Sequence, residues 1–215
     1  TIKGIIDNID YIKNLGCTAI WLSPVFENNP HSYHGYAIQN YLDVDQRWGT
    51  KKDLERLVDK AHKLDIRVFL DVVLHHSGDN WSYPFDYDYY YANGERFPLG
   101  DWREKDRPLP IELRDPELYN RKGQIRNFDK YPETQEGDFL TLKTFRNDGS
   151  PESEKLGKLL AAIHCYWIRE TDVDGFRLDA VKHMKGQDIS RFCSTIREYA
   201  YSLGKRNFFL FGEII

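Results

Sequence analysis

The stretch "GFRLDAVKH" (residues 175–183) begins like a buried strand and ends in four ionisable side chains. Arg177 and Asp179 are two residues apart, so the two-residue period of a strand places both side chains on one face. A guanidinium so close is expected to lower the pKa of the Asp179 carboxyl and keep that group charged. The stretch therefore predicts a strand that ends in a charged aspartate.

Two other apolar stretches end in the same way. "RVFLD" ends at Asp71 and "FLFGE" ends at Glu213. Helical patterns lie between the strands, and one of them starts with a capping box at Thr50 and Asp53. This alternation is typical of a parallel sheet covered by helices. Because parallel strands end at one shared edge, we expect the three acids to face a common cleft.

The expected fold is α/β, a partial (β/α)₈ TIM barrel with about four strands and four helices, where a full barrel needs roughly 250 residues. Residues 1–76 and 152–215 are expected to form its two parts. Residues 77–151 keep no helical or strand period, which indicates an inserted small irregular or β domain. The chain opens on a helix and stops on a strand, so we expect a segment of a longer protein.

Aromatic residues alternate within the insert, at Tyr83, Phe85, Tyr87 and Tyr89. The pattern fits either a sugar-stacking face or the hydrophobic side of a small sheet.

Composition excludes several classes of partner. The 215 residues carry a net charge of −4, which provides no basic field for nucleic acid. No apolar run reaches the ~20 residues of a membrane helix. Cys17, Cys165 and Cys193 are widely spaced and predict buried reduced thiols rather than metal ligands. Oligomeric state and cellular location stay open.

Two facing carboxylates are the usual equipment for cleaving a glycosidic bond, one as nucleophile and one as acid. With this chemistry in mind, "DVVLHH", "GFRLDAVKH" and "FGE" resemble, in order and spacing, three signature regions of the α-amylase superfamily (glycoside hydrolase family 13). "YHGYAIQNYLDVDQRWGT" resembles the segment that follows the second barrel strand in that family. The resemblance implies a retaining α-glycosidase or transglycosidase that acts on α-linked glucose oligo- or polysaccharides through a covalent glycosyl-aspartate.

The resemblance also implies a role for each matching residue. Asp179 would be the nucleophile, Glu213 the general acid and then the general base, and Arg177 the residue that positions and ionises Asp179. Further substrate contacts would come from Tyr36 beneath the sugar ring, His76 as a hydrogen-bonding partner, Lys182 and His183 on the leaving-group side, and Asp71 as support.

Two departures from the family pattern matter. The family carries a calcium-binding asparagine where this chain has His75, and "FLTLKTF" lacks the acid of calcium-dependent members. We therefore expect that no cofactor is required, and these two departures disfavour a structural calcium site of the family's type. The third catalytic aspartate would lie beyond residue 215, and four strands cannot close a barrel. We expect negligible activity from this segment alone.

Other classes of protein remain possible. A catalytically silent relative would use the same fold for binding or assembly, like the heavy subunits of amino-acid transporters. Retention of Arg177, Asp179 and Glu213 favours an enzyme. A barrel lyase that forms a Schiff base on Lys182 is disfavoured, because that lysine follows the strand in a polar turn.

Overall fold

The computed structural model describes residues 1–85 and 88–214. The helices of these residues are α1 (Ile2–Asp7), α2 (Ile9–Asn14), α3 (Lys51–His62), α4 (Glu133–Glu136), α5 (Pro151–Thr171) and α6 (Gly186–Ser202). Their strands are β1 (Ala19–Leu22), β2 (Phe26–Asn28), β3 (Ile38–Val44), β4 (Arg67–Val72), β5 (His76–Ser77), β6 (Lys143–Thr144), β7 (Gly175–Leu178) and β8 (Phe209–Gly212). Short 3₁₀ turns connect several of them.

Four parallel strands form the main sheet in the order β1-β4-β7-β8. Helix α3 connects β1 to β4 along the chain, α5 precedes β7, and α6 connects β7 to β8. This repeated strand–helix order with parallel neighbours confirms the predicted partial (β/α)₈ barrel. The register pairs Asp71 of β4 with Arg177 of β7. Since paired residues of parallel strands share a face, the two side chains point to the same side of the sheet.

The two faces of the sheet differ in chemistry. Leu70, Val72 and Phe176 are fully buried and belong to the core that the helices complete. The opposite face carries aromatic and charged side chains, among them Trp21 (50% exposed) and Phe209 (53% exposed). In a closed barrel this second face is the interior. The polar site described below therefore lies at the carboxyl edge of the barrel-interior face.

Close backbone approach requires glycine at the start of β7. A Cβ on Gly175 would lie 2.2 Å from the carbonyl oxygen of Phe209 on β8. The two strands can pair at this point because residue 175 has no side chain.

Helix α3 begins where the sequence predicts. Thr50 caps α3 as expected, since its side chain accepts from the Asp53 N–H and the Asp53 carboxylate accepts from the Thr50 N–H. The first helix differs from expectation. The apolar period of its isoleucines predicts one helix, whereas the structure has α1 and α2 meeting at Asn8.

The insert contains short elements rather than an extended sheet. Strands β5 and β6 pair antiparallel at its two ends. Outside the insert, β2 and β3 form a separate antiparallel pair that the sequence did not indicate. Tyr83 stacks on Tyr89 with ring centroids 4.4 Å apart, and its hydroxyl donates to Asp138. Buried packing therefore accounts for these two tyrosines, while Tyr87 lies outside the described residues. The boundaries at 77 and 151 stay a prediction.

Two expectations about thiols and membranes can be compared with the described part of the chain. Cys17, Cys165 and Cys193 are free and partly buried. None of the helices in residues 1–85 and 88–214 has both the length and the apolar character needed to cross a bilayer.

We expect Thr50→Ala to lower the free energy of unfolding of the full-length protein by about 1 kcal/mol, because α3 loses the side-chain oxygen that caps it. Urea denaturation monitored by circular dichroism measures the change. Thr50→Ser keeps the oxygen and is the matched control. An equal loss in both variants would show that the cap hydrogen bond does not stabilise the fold.

Candidate active site

One guanidinium joins the three strand-end acids. Arg177 contacts Asp71 at 3.0 Å and the Oδ1 atom of Asp179 at 2.8 Å through one terminal nitrogen. Its other terminal nitrogen lies 2.6 Å from Oε1 of Glu213. The acids of β4, β7 and β8 therefore meet on a single side chain, as the strand-end pattern predicted.

Asp71 is held from several sides. It is 1% exposed and accepts hydrogen bonds from Arg177, from the indole N–H of Trp21 at 3.2 Å and from the hydroxyl of Tyr36 at 3.2 Å. Such a saturated carboxyl supports its neighbours rather than attacking a substrate. Trp21 was not predicted as part of the site. The available signal was its position on β1, whose period places it on the same face as Asp71.

Asp179 and Glu213 lie side by side on adjacent strands. Asp179 follows the last residue of β7, and Glu213 follows the last residue of β8. Their side chains are 10% and 30% exposed, so both face an opening at the strand ends. Ala180 follows in the left-handed conformation (φ 52°), which is uncommon for alanine and turns the chain away directly after the aspartate.

The charges of the site do not balance. Among the described residues, Arg177 is the cation that contacts the three carboxyls. Burial raises the pKa of Asp71 to about 7 and that of Asp179 to about 6, although Arg177 acts in the opposite direction on both. The neighbouring Glu213 raises the pKa of Asp179 further. The expectation that Arg177 sets a low pKa for Asp179 is thus wrong in its net direction, because burial outweighs the ion pair.

A tight loop brings Tyr36 to the site. Gly35 has φ 90°, and a Cβ there would lie 2.8 Å from the carbonyl oxygen of Pro24. Only glycine fits this turn without strain. Arg47 fastens the loop, since it donates to the Ser32 carbonyl at 2.6 Å and pairs with Asp45.

His76 is the first residue of β5, four positions after the end of β4, and lies near Tyr36. It is 2% exposed, and burial lowers its pKa to about 3, so the ring is neutral. Its Nδ1 atom lies 3.2 Å from Nδ1 of His75, and its Nε2 atom has no hydrogen-bonding partner among the described residues. This nitrogen is buried, and the backbone of Tyr36 acts on the ring. The sugar contact of His76 stays a prediction.

Lys182 and His183 contact the insert. The Lys182 ammonium lies 2.6 Å from Asp129, and the buried His183 ring bonds to the Thr134 carbonyl at 2.7 Å. The structure therefore does not gather all four ionisable residues of "GFRLDAVKH" around the carboxyls. Arg177 and Asp179 build the site, while the next two attach the insert above it. Their role at a leaving group stays a prediction.

The residues at the family's calcium position do not suit that ion. His75 is buried with its ring 4.6 Å from Phe139 and 5.9 Å from His183, measured between centroids. Calcium prefers oxygen ligands, and a neutral imidazole against phenyl rings provides none. The described residues also contain no cluster of three histidines, cysteines or carboxylates placed to hold a metal.

The fold and the site together define a (β/α)₈-type domain with a carboxylate–arginine cluster at its strand ends. A model of the family "Alpha amylase, catalytic domain" matches residues 1–201. The chain is 32% identical over 99% of its length to an alpha-amylase of Streptomyces lividans, of which it covers 27%. It is also 33% identical over 95% of its length to a cyclomaltodextrinase of a Bacillus species, of which it covers 33%.

A solved alpha-amylase structure from Anoxybacillus superposes with a TM-score of 0.77 at 32% identity, over 99% of this chain and 39% of the other. The chain therefore belongs to the alpha-amylase catalytic domain family, as its sequence motifs implied. It spans between about a quarter and two fifths of these relatives.

We expect Arg177→Met to destabilise the full-length protein more at pH 8 than at pH 5. The raised carboxyl pKa values mean that the folded state binds protons more tightly than the unfolded state, so stability falls as pH rises from about 4 towards 7. Loss of the guanidinium raises both pKa values further and extends this fall. Each further pKa unit costs about 1.4 kcal/mol at high pH.

Urea denaturation at the two pH values measures the difference. Arg177→Lys keeps a positive charge and should show a smaller pH dependence. An equal loss for Arg177→Met at pH 5 and pH 8 would contradict the proposed electrostatic role.

Proposed function

We propose that the full-length protein is a retaining glycosidase or transglycosidase that acts on α-linked glucose oligo- or polysaccharides. The observation that carries the proposal is the meeting of Asp179 and Glu213 on one guanidinium at the carboxyl ends of adjacent parallel strands. Two neighbouring carboxyls in a partly open, partly buried site are what retaining glycoside cleavage requires. The family relatives named alpha-amylase and cyclomaltodextrinase favour α-glucans as substrates.

The environments of the two acids support their roles. Asp179 attacks the anomeric carbon with a carboxylate oxygen, while the bond from that carbon to the leaving oxygen breaks. Glu213 gives its proton to the leaving oxygen. In the second step the incoming water or sugar hydroxyl gives a proton to the Glu213 carboxylate, its oxygen bonds to the anomeric carbon, and the bond from that carbon to Asp179 breaks. Burial and the neighbouring Glu213 raise the pKa of Asp179 to about 6, so its carboxyl is mostly charged at neutral pH and available for attack.

Arg177 helps the attack by favouring the charged form of Asp179. It binds Oδ1 of that residue and also Asp71, so the aspartate is held in one orientation. Tyr36 donates to Asp71 and presents its ring beside the acids, where a sugar ring can stack. Lys182 and His183 follow Asp179 along the chain and bind Asp129 and Thr134 of the insert, which supports a role for this part of the insert on the leaving-group side.

We expect Asp179→Asn and Glu213→Gln to lower kcat on maltotriose by at least about 10²–10⁴-fold, because each removes a group that forms or breaks a bond to the substrate. The wild-type product should keep the α configuration when proton NMR is recorded before mutarotation. A slow fluorinated glucosyl fluoride should label Asp179, detected by mass spectrometry of peptides.

The matched control is Asp172→Asn, which changes an exposed carboxylate shortly before β7, and this variant should keep wild-type activity. An inverted product would overturn the nucleophile assignment. A full-length wild-type protein that binds α-glucans without cleaving them would instead show a non-catalytic member of the family.

The pH profile gives an independent prediction. Attack requires a charged Asp179, whose pKa is raised to about 6, so kcat/KM should fall tenfold per pH unit below about pH 6. The measured value belongs to the coupled pair of acids. Initial rates on a chromogenic α-glucoside from pH 4 to pH 9 measure it. If kcat/KM instead falls only below about pH 4, the ordinary pKa of an aspartate, burial does not raise the pKa of Asp179.

A further inference from the structure

Trp21 lies on the barrel-interior face of the sheet, next to the carboxylate site. The register pairs it with Phe69 of β4, and Asp71 follows Phe69 by two positions on the same face. The indole N–H donates to Oδ2 of Asp71 at 3.2 Å. Because the residue is 50% exposed, burial of its apolar surface contributes less than its size would allow. The contact with a site residue, rather than core packing, therefore distinguishes this tryptophan.

The indole ring also contacts the arginine of the site. Cζ of Arg177 lies over the ring of Trp21, 5.1 Å from its centroid, within the roughly 6 Å of a cation–π interaction. Tryptophan attracts a cation more strongly than the other aromatic rings, and the attraction grows as water is excluded. The Arg177 side chain is 6% exposed, so little water competes. The ring thus stabilises the guanidinium without adding a further negative charge to a site that already has three carboxyls.

Trp21 therefore binds both partners of one buried ion pair. Its N–H group holds Asp71 and its ring holds Arg177, while these two side chains contact each other at 3.0 Å. The guanidinium nitrogen of that contact also binds Oδ1 of Asp179 at 2.8 Å. Arginine has a long, flexible side chain whose freedom is costly to restrict. A ring against the guanidinium and a donor on its partner reduce the number of positions that Arg177 can occupy beside Asp179.

We propose that Trp21 is a positioning residue for the glycosidase reaction, which holds Arg177 against Asp179 through its ring and holds Asp71 through its N–H group. The inference rests on the proposed function, because it assigns Trp21 to the same reaction. The aspartate depends on the guanidinium to favour its charged form against burial. An arginine free to move away would leave the carboxyl of Asp179 protonated to a higher pH, although the residues that form and break bonds are intact.

Kinetics of the full-length protein on maltotriose and on a chromogenic α-glucoside test this role. Trp21→Leu should lower kcat at least about tenfold, about 1.4 kcal/mol in activation free energy, with KM within about twofold of wild type. The acidic limb of kcat/KM should move to higher pH, because the charged form of Asp179 loses support. Trp21→Phe keeps a ring over the guanidinium and should recover most of kcat and restore the limb. A raised KM with an unmoved limb would indicate a direct sugar contact and overturn the proposal.

The matched control is Phe209→Leu, which removes a similarly exposed aromatic ring (53%) from the same face of the sheet. Phe209 is the first residue of β8 and packs on Phe69, with ring centroids 5.6 Å apart. This variant should keep the wild-type kcat and the wild-type acidic limb. Equal losses in Trp21→Leu and Phe209→Leu would show a general loss of barrel packing. A Trp21→Phe variant as impaired as Trp21→Leu would show that the ring does not hold the arginine, and either result overturns the proposal.

A spectroscopic measurement tests the contact without catalysis. In the full-length protein labelled with ¹⁵N-tryptophan, the indole N–H signal of Trp21 is identified by its loss in Trp21→Phe and should shift as Asp71 titrates. Burial raises the pKa of Asp71 to about 7, so the midpoint of the shift should lie near that pH. Among the described residues, the ionisable groups that act on Asp71 are Tyr36, Arg177 and Asp179, and Glu213 shares the guanidinium. An indole signal that does not change between about pH 5 and about pH 9 would overturn the contact with Asp71.

The two measurements also separate the role of Trp21 from the proposed function. An inactive full-length wild type would overturn the proposed reaction and with it the role of Trp21. An active wild type with unaffected kinetics in Trp21→Leu would overturn the role of Trp21 alone.

Discussion

The contact between Arg177 and three carboxyl groups governs the arrangement of the strand ends. Each acid comes from a different strand, and the guanidinium is bound to all of them at 2.6–3.0 Å. One positive charge cannot neutralise three neighbouring carboxylates, two of which are buried, so the site favours a bound proton. Burial acts in the same direction and is the main cause of the raised pKa values of Asp71 and Asp179. The arginine thus positions the acids without making all of them fully ionised, which is the state that acid–nucleophile chemistry needs.

Much of this arrangement could be predicted from the sequence because it depends on local periods. The two-residue alternation of a strand puts Arg177 and Asp179 on one face, and parallel strands end at one edge. The capping box at Thr50 is equally local. What could not be predicted depends on contacts between distant segments. The indole of Trp21 on β1 donates to Asp71 on the adjacent strand β4, and the two residues are 50 positions apart in the sequence.

The prediction of a lowered pKa for Asp179 was wrong for the same reason, since the pKa is raised. The neighbouring arginine is visible in the sequence, but the depth of burial is not. Lys182 and His183 show a related limit of motif reasoning, since four adjacent ionisable residues divide between two tasks. The left-handed Ala180 separates the tasks, because it turns the chain between the pair that builds the site and the pair that holds the insert.

Aromatic packing and hydrogen bonds attach the insert beside the strand ends. His183 bonds to the Thr134 carbonyl, and its ring packs edge-on against Phe139 with centroids 4.6 Å apart. The His75 ring also packs against Phe139, with a centroid distance of 4.6 Å. Burial keeps His75 neutral, so the contact needs no counter-ion. A hard cation would need several oxygens at this point, and the chain supplies aromatic rings. The same ring lies next to His76, with the two Nδ1 atoms 3.2 Å apart, so one neutral imidazole links the packing of the insert to the segment that carries the proposed sugar contact.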